Sequence, residues 1–273
     1  MTTMTIFLNE RPVVVPRDSR LFAIKALYKP EADVMVVNGG IVTEDRILAE
    51  GDAVVLIKRG EIPEQAELEA LMVARHSPGV HRAVKQATVG IAGLGGLGSA
   101  VAVALARLGV GRLVLADFDV VEPSNLNRQQ YFIDQLGKYK TEALKENLQR
   151  INPYVSYETH TVLLSPANVP VIFADCAVLV EAFDQAAMKA MLVETWLKHF
   201  PTRPIVAASG LAGHAGSNRV RTHRLGRSLY LVGDLETAAQ PGTGLMAPRV
   251  GVAAHHQANA VLRLLLGEDP TEG

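Results

Sequence analysis

Within residues 115–140, LADFDVVEPSNLNRQQYFIDQLGKYK, an apolar run gives way to four carboxylates, an Asn-Leu-Asn-Arg stretch, a Gln-Gln pair and two lysines. Just upstream, Gly93-Leu94-Gly95-Gly96-Leu97-Gly98 fits G-x-G-x-x-G between a strand pattern and a helix pattern. In such a loop the first glycine permits a tight turn. The next lets backbone N–H groups approach a phosphate, and the last lets helix and strand pack closely. Asp117 follows Gly98 by 19 residues, at the tip of the second strand pattern. A carboxylate there binds a ribose hydroxyl pair. Gly93, Gly95, Gly96, Gly98 and Asp117 are therefore candidate nucleotide ligands.

A dinucleotide dehydrogenase fits that loop and acid equally well, but it leaves the chemistry to its nicotinamide and has no use for the charged stretch. An enzyme that cleaves a triphosphate needs cations around the phosphates and a carboxylate for magnesium. Arg128 and Lys140 supply the cations, and Asn125 and Gln129 supply neutral donors. Asp184 ends the run CAVLVEAFD, where open α/β sheets bind ligands beyond their strands' carboxyl ends. It suits magnesium; its other use is to cap the helix that follows.

The elements around these residues come in two rhythms. Residues 1–62 alternate short β-branched runs (TIFLN, RPVVVP) with a helix at RLFAIKALY, capped by Asp18 or Ser19, then DVMVV, an Asn-Gly-Gly turn, IVT and GDAVVLIKRG, an α+β pattern. Residues 63–87 read as a helical linker. From 88 to 273 continuous apolar strands (ATVGIAG, RLVLAD, CAVLVEA, PIVAAS) alternate with helices, which predicts a mainly parallel, doubly wound, Rossmann-like sheet covered on both faces. NRVRTHRLG and SLYLVG add a hairpin, and VGVAAHHQANAVLRLLLG a final helix.

The motifs GLGGLGS, DFDVVEPSNLNRQ, GKYKTEAL and RINPY resemble the adenylating enzymes that activate sulfur-carrier and ubiquitin-like proteins, the family of ThiF, MoeB and the ubiquitin-activating enzymes. The resemblance spans residue 88 to about 267 and is greatest to the ThiF branch of thiamin biosynthesis. It implies that a carrier's C-terminal carboxylate attacks the α-phosphate of ATP, giving an acyl-adenylate and pyrophosphate. On this chain it implies Asp117 on the ribose, Asn125, Arg128 and Lys140 on the phosphates, and Asp184 on Mg²⁺, with Asp119 a further motif acid. Residues 4–62 resemble the β-grasp carrier ThiS. A carrier must end in a free Gly-Gly carboxylate, whereas Gly60 is followed by Glu61, so this copy is not itself a substrate. A docking or dimer-stabilising role is expected for it. The implied partner is a separate ThiS-like carrier ending in Gly-Gly, and the implied assembly a homodimer.

The chain departs from the family in its single cysteine, Cys176, which leaves no zinc-binding Cys-x-x-Cys pairs, and in having no cysteine in residues 211–247 for a thioester. Arg75 and Arg82 are candidates for an arginine reaching into a partner subunit's site. Arg249 is either a contact for the carrier's tail or a surface residue. His255-His256 carry no metal signature. Net charge is −1 and no run is long enough to span a bilayer, so neither nucleic acid nor membrane is an expected partner and a cytoplasmic setting is. Two rival readings remain besides the dehydrogenase: a non-catalytic ATP-binding partner protein, and an activating enzyme for molybdopterin synthesis or tRNA thiolation.

Overall fold

The computed structural model describes residues 2–272, which form two compact units divided between Pro78 and Gly79. In the first, strands β1 (Thr3–Leu8) and β2 (Arg11–Pro16) make a hairpin whose turn holds Asn9 and Glu10 at positive φ. Helix α1 (Leu21–Tyr28) follows, then β3 (Val34–Val37), β4 (Gly40–Ile41), β5 (Ala53–Ile57) and helix α2 (Gln65–Val73). The five strands form one sheet in the order β2-β1-β5-β3-β4, with β1 and β5 parallel and the other pairs antiparallel. Alternation drives it: Met4, Ile6 and Leu8 of β1 and Val54 and Leu56 of β5 pack on Leu21 and Ile24 of α1. Asn38-Gly39, both at positive φ, make the two-residue turn between β3 and β4 that an Asn-Gly pair favours.

Neither Asp18 nor Ser19 caps α1. Its N-cap is Arg20, with no side-chain cap, and the free N–H of Phe22 is satisfied instead by Asp45, 2.9 Å away. Beyond β5 the chain is held against its own unit: Lys29 binds Glu61 at 2.7 Å and Asn9 donates to Glu67.

The second unit opens with helix α3 (Val80–Lys85). Strand β6 (Thr88–Ala92), helix α4 (Gly96–Leu108), strand β7 (Arg112–Asp117), helix α5 (Lys140–Ile151) and strand β8 (Ser156–Thr161) follow. Next come α6 (Val169–Ile172), β9 (Val178–Glu181), α7 (Ala186–His199), β10 (Ile205–Ala208), the hairpin β11 (Arg221–Leu225) and β12 (Leu229–Gly233), and α8 (Ala247–Leu265). The sheet order is β11-β12-β10-β9-β6-β7-β8, parallel throughout except for β11. The central strands β6, β7, β9 and β10 are buried almost residue by residue, as a sheet covered on both faces requires. Strand β8, SYETHT, is polar and escaped the sequence reading. At the sheet edge it needs no continuous apolar face, and its Glu158 meets Arg112 of β7 at 2.8 Å. Among the described residues no helix is long and apolar enough to cross a membrane.

Candidate active site

The glycine loop turns sharply where β6 ends. Gly93 has φ +88, and a Cβ there would lie 2.9 Å from the carbonyl oxygen of Ala182, just past the end of the neighbouring strand β9. Gly98 packs beneath the loop: a Cβ would sit 1.9 Å from the Gly93 carbonyl oxygen. Gly98→Ala must therefore move backbone, not a flexible side chain. An expected loss of about 3 kcal/mol, at the upper end for overpacking, is readable by urea denaturation.

The charged stretch folds back over this loop. Gly137 N–H donates to Val121 O, Val121 N–H to Lys138 O and Lys140 N–H to Asp119 O, all within 2.8–2.9 Å, so residues 119–140 close on themselves. Tyr131 Oη donates to Leu94 O at 2.7 Å, and Gln130 N–H donates to Ser99 Oγ, whose own proton goes to Gly95 O. Burial drives the Tyr131 hydroxyl well above its ordinary range, so it stays a donor.

The result is a cavity of about 520 Å³ across the carboxyl ends of the parallel strands. Gly93, Gly95, Gly96, Asp117, Asp119, Arg128, Gln129, Lys140 and Asp184 all line it. Asp117, at the end of β7, is nearly buried and accepts N–H bonds from Leu94 at 2.6 Å and Asp119 at 2.8 Å. Burial raises its pKa, against the pull of Lys140 and of those two N–H groups. Lys140 Nζ donates to Asp119 Oδ2 at 2.8 Å, which gives the motif acid a definite place: it holds the lysine at the cavity wall. Arg128 lays its stem over Gly96, and its Nη1 donates to Ser124 O and Asn127 Oδ1. Among the described cations lining the cavity it alone has no carboxylate partner, and its buried Nε is unbonded. The Gln129 Oε1 beside it is likewise buried without a partner. Asp184 is exposed on the bend between β9 and α7, and it does not cap α7, whose N-cap is Gln185 without a side-chain bond.

Two expected ligands lie elsewhere. Asn125 does not line the cavity. Its Oδ1 accepts the Glu122 N–H at 3.1 Å and its carbonyl accepts the N–H groups of Arg128 and Gln129, so it builds the turn that presents them. Gly98 supports the loop from below. Arg249, too, is neither a surface residue nor open to a ligand. It is 4% exposed, pairs with the equally buried Asp234 at 2.5 Å, and donates to Ala215 O and Gly216 O. Its pairing anchors the β12–α8 loop, whose residues Leu235–Ala239 form one cavity wall. Arg82 is exposed on α3 and Arg75 meets Glu10 at 3.6 Å. His255 bonds Gly251 O within its own helix, and His256 lies 3.4 Å from Thr222 Oγ1 of β11.

Two residues escaped the sequence reading altogether. Glu181, the last residue of β9, is fully buried, and Lys189 of α7 reaches both its oxygens at 2.9 and 3.1 Å from the cavity side. Their only signal in the sequence was a carboxylate inside an apolar run. Cys176, by contrast, has no place in the site: burial pushes its thiol up to about 12. It is expected to ignore a thiol-specific disulfide reagent at pH 8 in the folded protein and to react fully in denaturant.

Comparison with known proteins agrees with this architecture. The ThiF family model matches residues 69–273, and a ThiS-like ubiquitin model matches residues 4–60. The molybdopterin-synthase adenylyltransferase of Escherichia coli is 32% identical over 191 residues, covering 68% of this chain and 75% of that protein. The adenylyltransferase and sulfurtransferase UBA4 of Candida glabrata is 30% identical over 67% of this chain, which spans only 43% of UBA4. In fold, the E. coli tRNA N6-threonylcarbamoyladenosine dehydratase TcdA, solved in complex with AMP, superposes with a TM-score of 0.67 at 20% identity, over 76% of this chain and 98% of that one. The family model spans most of the chain and relatives at this identity are adenylyltransferases: the chain belongs to the ThiF family, as an adenylyltransferase with an N-terminal ThiS-like ubiquitin domain.

Proposed function

We propose that this protein uses ATP and Mg²⁺ to adenylate the C-terminal carboxylate of a separate ThiS-like sulfur carrier ending in Gly-Gly. The observation that carries the reading is the single cavity joining the glycine loop, Asp117, Arg128, Gln129, Lys140 and Asp184. A carrier of the thiamin-thiazole type is the first to test. Carriers of molybdopterin synthesis and tRNA thiolation are the alternatives, the first favoured by the relative at 32% identity.

The residues account for the reaction with little covalent work by the protein. Asp117 holds the ribose with the lone pairs not used by Leu94 and Asp119. The glycine loop opens helix α4, so its N–H groups and the helix dipole face the phosphates. A carboxylate nucleophile needs no general base. What it needs is alignment with the α-phosphate and neutralisation of charge on departing pyrophosphate, which Arg128 and Lys140 supply. For the metal, no cluster of three or more acidic, histidine or cysteine residues is found among the described residues. One exposed carboxylate, Asp184, nevertheless suits Mg²⁺, which commonly binds one or two carboxylates together with substrate phosphates. Bound there, it would neutralise phosphate charge.

With no cysteine in residues 211–247, the reaction on this chain ends at the acyl-adenylate and sulfur is delivered by another protein. The protein works as a homodimer in the cytoplasm, with the ThiS-like domain, its would-be tail continuing past Gly60, as a docking or dimer-stabilising element. Carrier-dependent exchange of labelled pyrophosphate into ATP tests the reading. Exchange requiring both Mg²⁺ and a Gly-Gly carrier is expected. ATP binding without exchange, across several carriers, would sink it in favour of a non-catalytic partner protein.

A further inference from the structure

The Glu181–Lys189 pair is unused by the chemistry above, and burying charge in a core is expensive unless every bond is made. Here nearly all are. The Glu181 carboxylate accepts Phe183 N–H at 2.7 Å, both bonds from Lys189, and Ala208 N–H at 3.4 Å; Lys189 Nζ also donates to Ala208 O at 3.1 Å. The Glu181 carbonyl is fixed in turn by Gln257 of α8, itself fully buried, at 3.0 Å. These bonds converge on a short segment. Ala182 N–H donates to Ala92 O on β6, the Ala182 carbonyl presses on Gly93, Phe183 is held by Glu181, and Asp184 follows at the bend. With all three donors of its ammonium group engaged, Lys189 is not a phosphate ligand although it lines the cavity.

We propose that Glu181 and Lys189 are positioning residues that hold the Ala182–Phe183–Asp184 turn in place, so that Asp184 is set against the glycine loop before any nucleotide arrives. This rests on the adenylation reading for its consequence, but the turn itself is measurable without it. A hydrophobic pair of similar size would keep the core while removing the acceptors of the Phe183 and Ala208 N–H groups.

The decisive variant is E181L/K189M in the full chain, measured for thermal midpoint, amide hydrogen exchange at Phe183, and pyrophosphate exchange. Replacing a buried ion pair by apolar residues is often neutral or stabilising, so the midpoint is expected within about 5 °C of the parent or above it. Exchange at the Phe183 amide is expected to rise at least ~10-fold as the turn opens locally. kcat is expected to fall ~30-fold, with the KM for the carrier within about threefold, as misplacement of a catalytic group predicts. If E181L/K189M fails to fold, Glu181→Gln takes its place. The amide side chain of that variant keeps one acceptor oxygen but turns its N–H₂ toward Ala208 N–H, and a smaller acceleration at Phe183, about fivefold, is expected. Unchanged amide exchange in the folded variant overturns the proposal, whatever the activity. Faster amide exchange in a protein whose parent shows no pyrophosphate exchange with any carrier would uphold the positioning role and overturn the adenylation reading instead.

Discussion

Arg128→Ala is expected to lower carrier-dependent pyrophosphate exchange by ~10²–10³-fold, the cost of removing one pre-aimed charge donor from a developing anion. Stability should scarcely change. The side chain is half-exposed, its Nη1 bonds are to oxygens of its own turn, and no carboxylate loses a partner. A substitution of that kind stays within about 0.5 kcal/mol. The two other cations of the cavity are differently placed, since Lys140 is tied to Asp119 and Lys189 to Glu181. On the proposed reading Arg128 would therefore meet an incoming triphosphate without first giving up a counter-ion. Its loss should appear in kcat more than in the KM for ATP, because the charge it answers is greatest as pyrophosphate leaves. Arg128→Lys should recover part of the rate but not all, since a point charge does not reproduce the planar fork. Full activity in Arg128→Ala, with Asp184→Ala also active, would remove this cavity from the chemistry.

The largest effect on stability is expected from Arg249→Met. It leaves the Asp234 carboxylate buried without its cation, and breaking such a pair from one side costs about 3–5 kcal/mol. The carbonyls of Ala215 and Gly216 also lose their donor. Urea denaturation would measure this as a lower midpoint. The pH dependence follows from the same pair. Burial works to raise the Asp234 pKa, but the N–H groups of Thr237 and Glu236, the Thr237 hydroxyl and Arg249 outweigh it, and the folded value lies below the ordinary 3.8. A carboxyl depressed on folding adds stability above its unfolded pKa and loses it as pH falls through the folded one. The parent should therefore lose stability as pH is taken below about 4, and Arg249→Met should lose less over that interval, having one lowering influence fewer. Equal acid sensitivity in the two proteins would show that the pair does not act as an ion pair.

The residues that meet at the cavity could be picked out from the chain because they are close in sequence and each belongs to a pattern that few residue types can fill. A glycine turn against a neighbouring backbone, an acid at the next strand tip and the polar residues Arg128, Gln129 and Lys140 of the cavity wall all fall between Gly93 and Lys140. The buried strands were equally legible, since a sheet covered on both faces demands unbroken apolar runs. Strand β8 was not, because an edge strand makes no such demand. Asn125 shows what the chain could not give: an amide reads the same whether it faces a cavity or its own turn, and only the fold shows its Oδ1 accepting the Glu122 N–H.

What the sequence determined by itself was thus local: the glycine loop, Asp117, the cations after it, and a ThiS-like segment that cannot end in a free Gly-Gly. Tertiary structure alone decided which charges meet. The chain alone left Arg249 between a contact for the carrier's tail and a surface residue, and the β12–α8 loop brings Asp234 to it; Glu181 went unnoticed in its apolar run, and α7 brings Lys189 to it at the cavity wall. A charge is stable in a core only when its counter-ion and N–H donors arrive together. Those partners come from different strands and helices, so their meeting is a property of the assembled sheet.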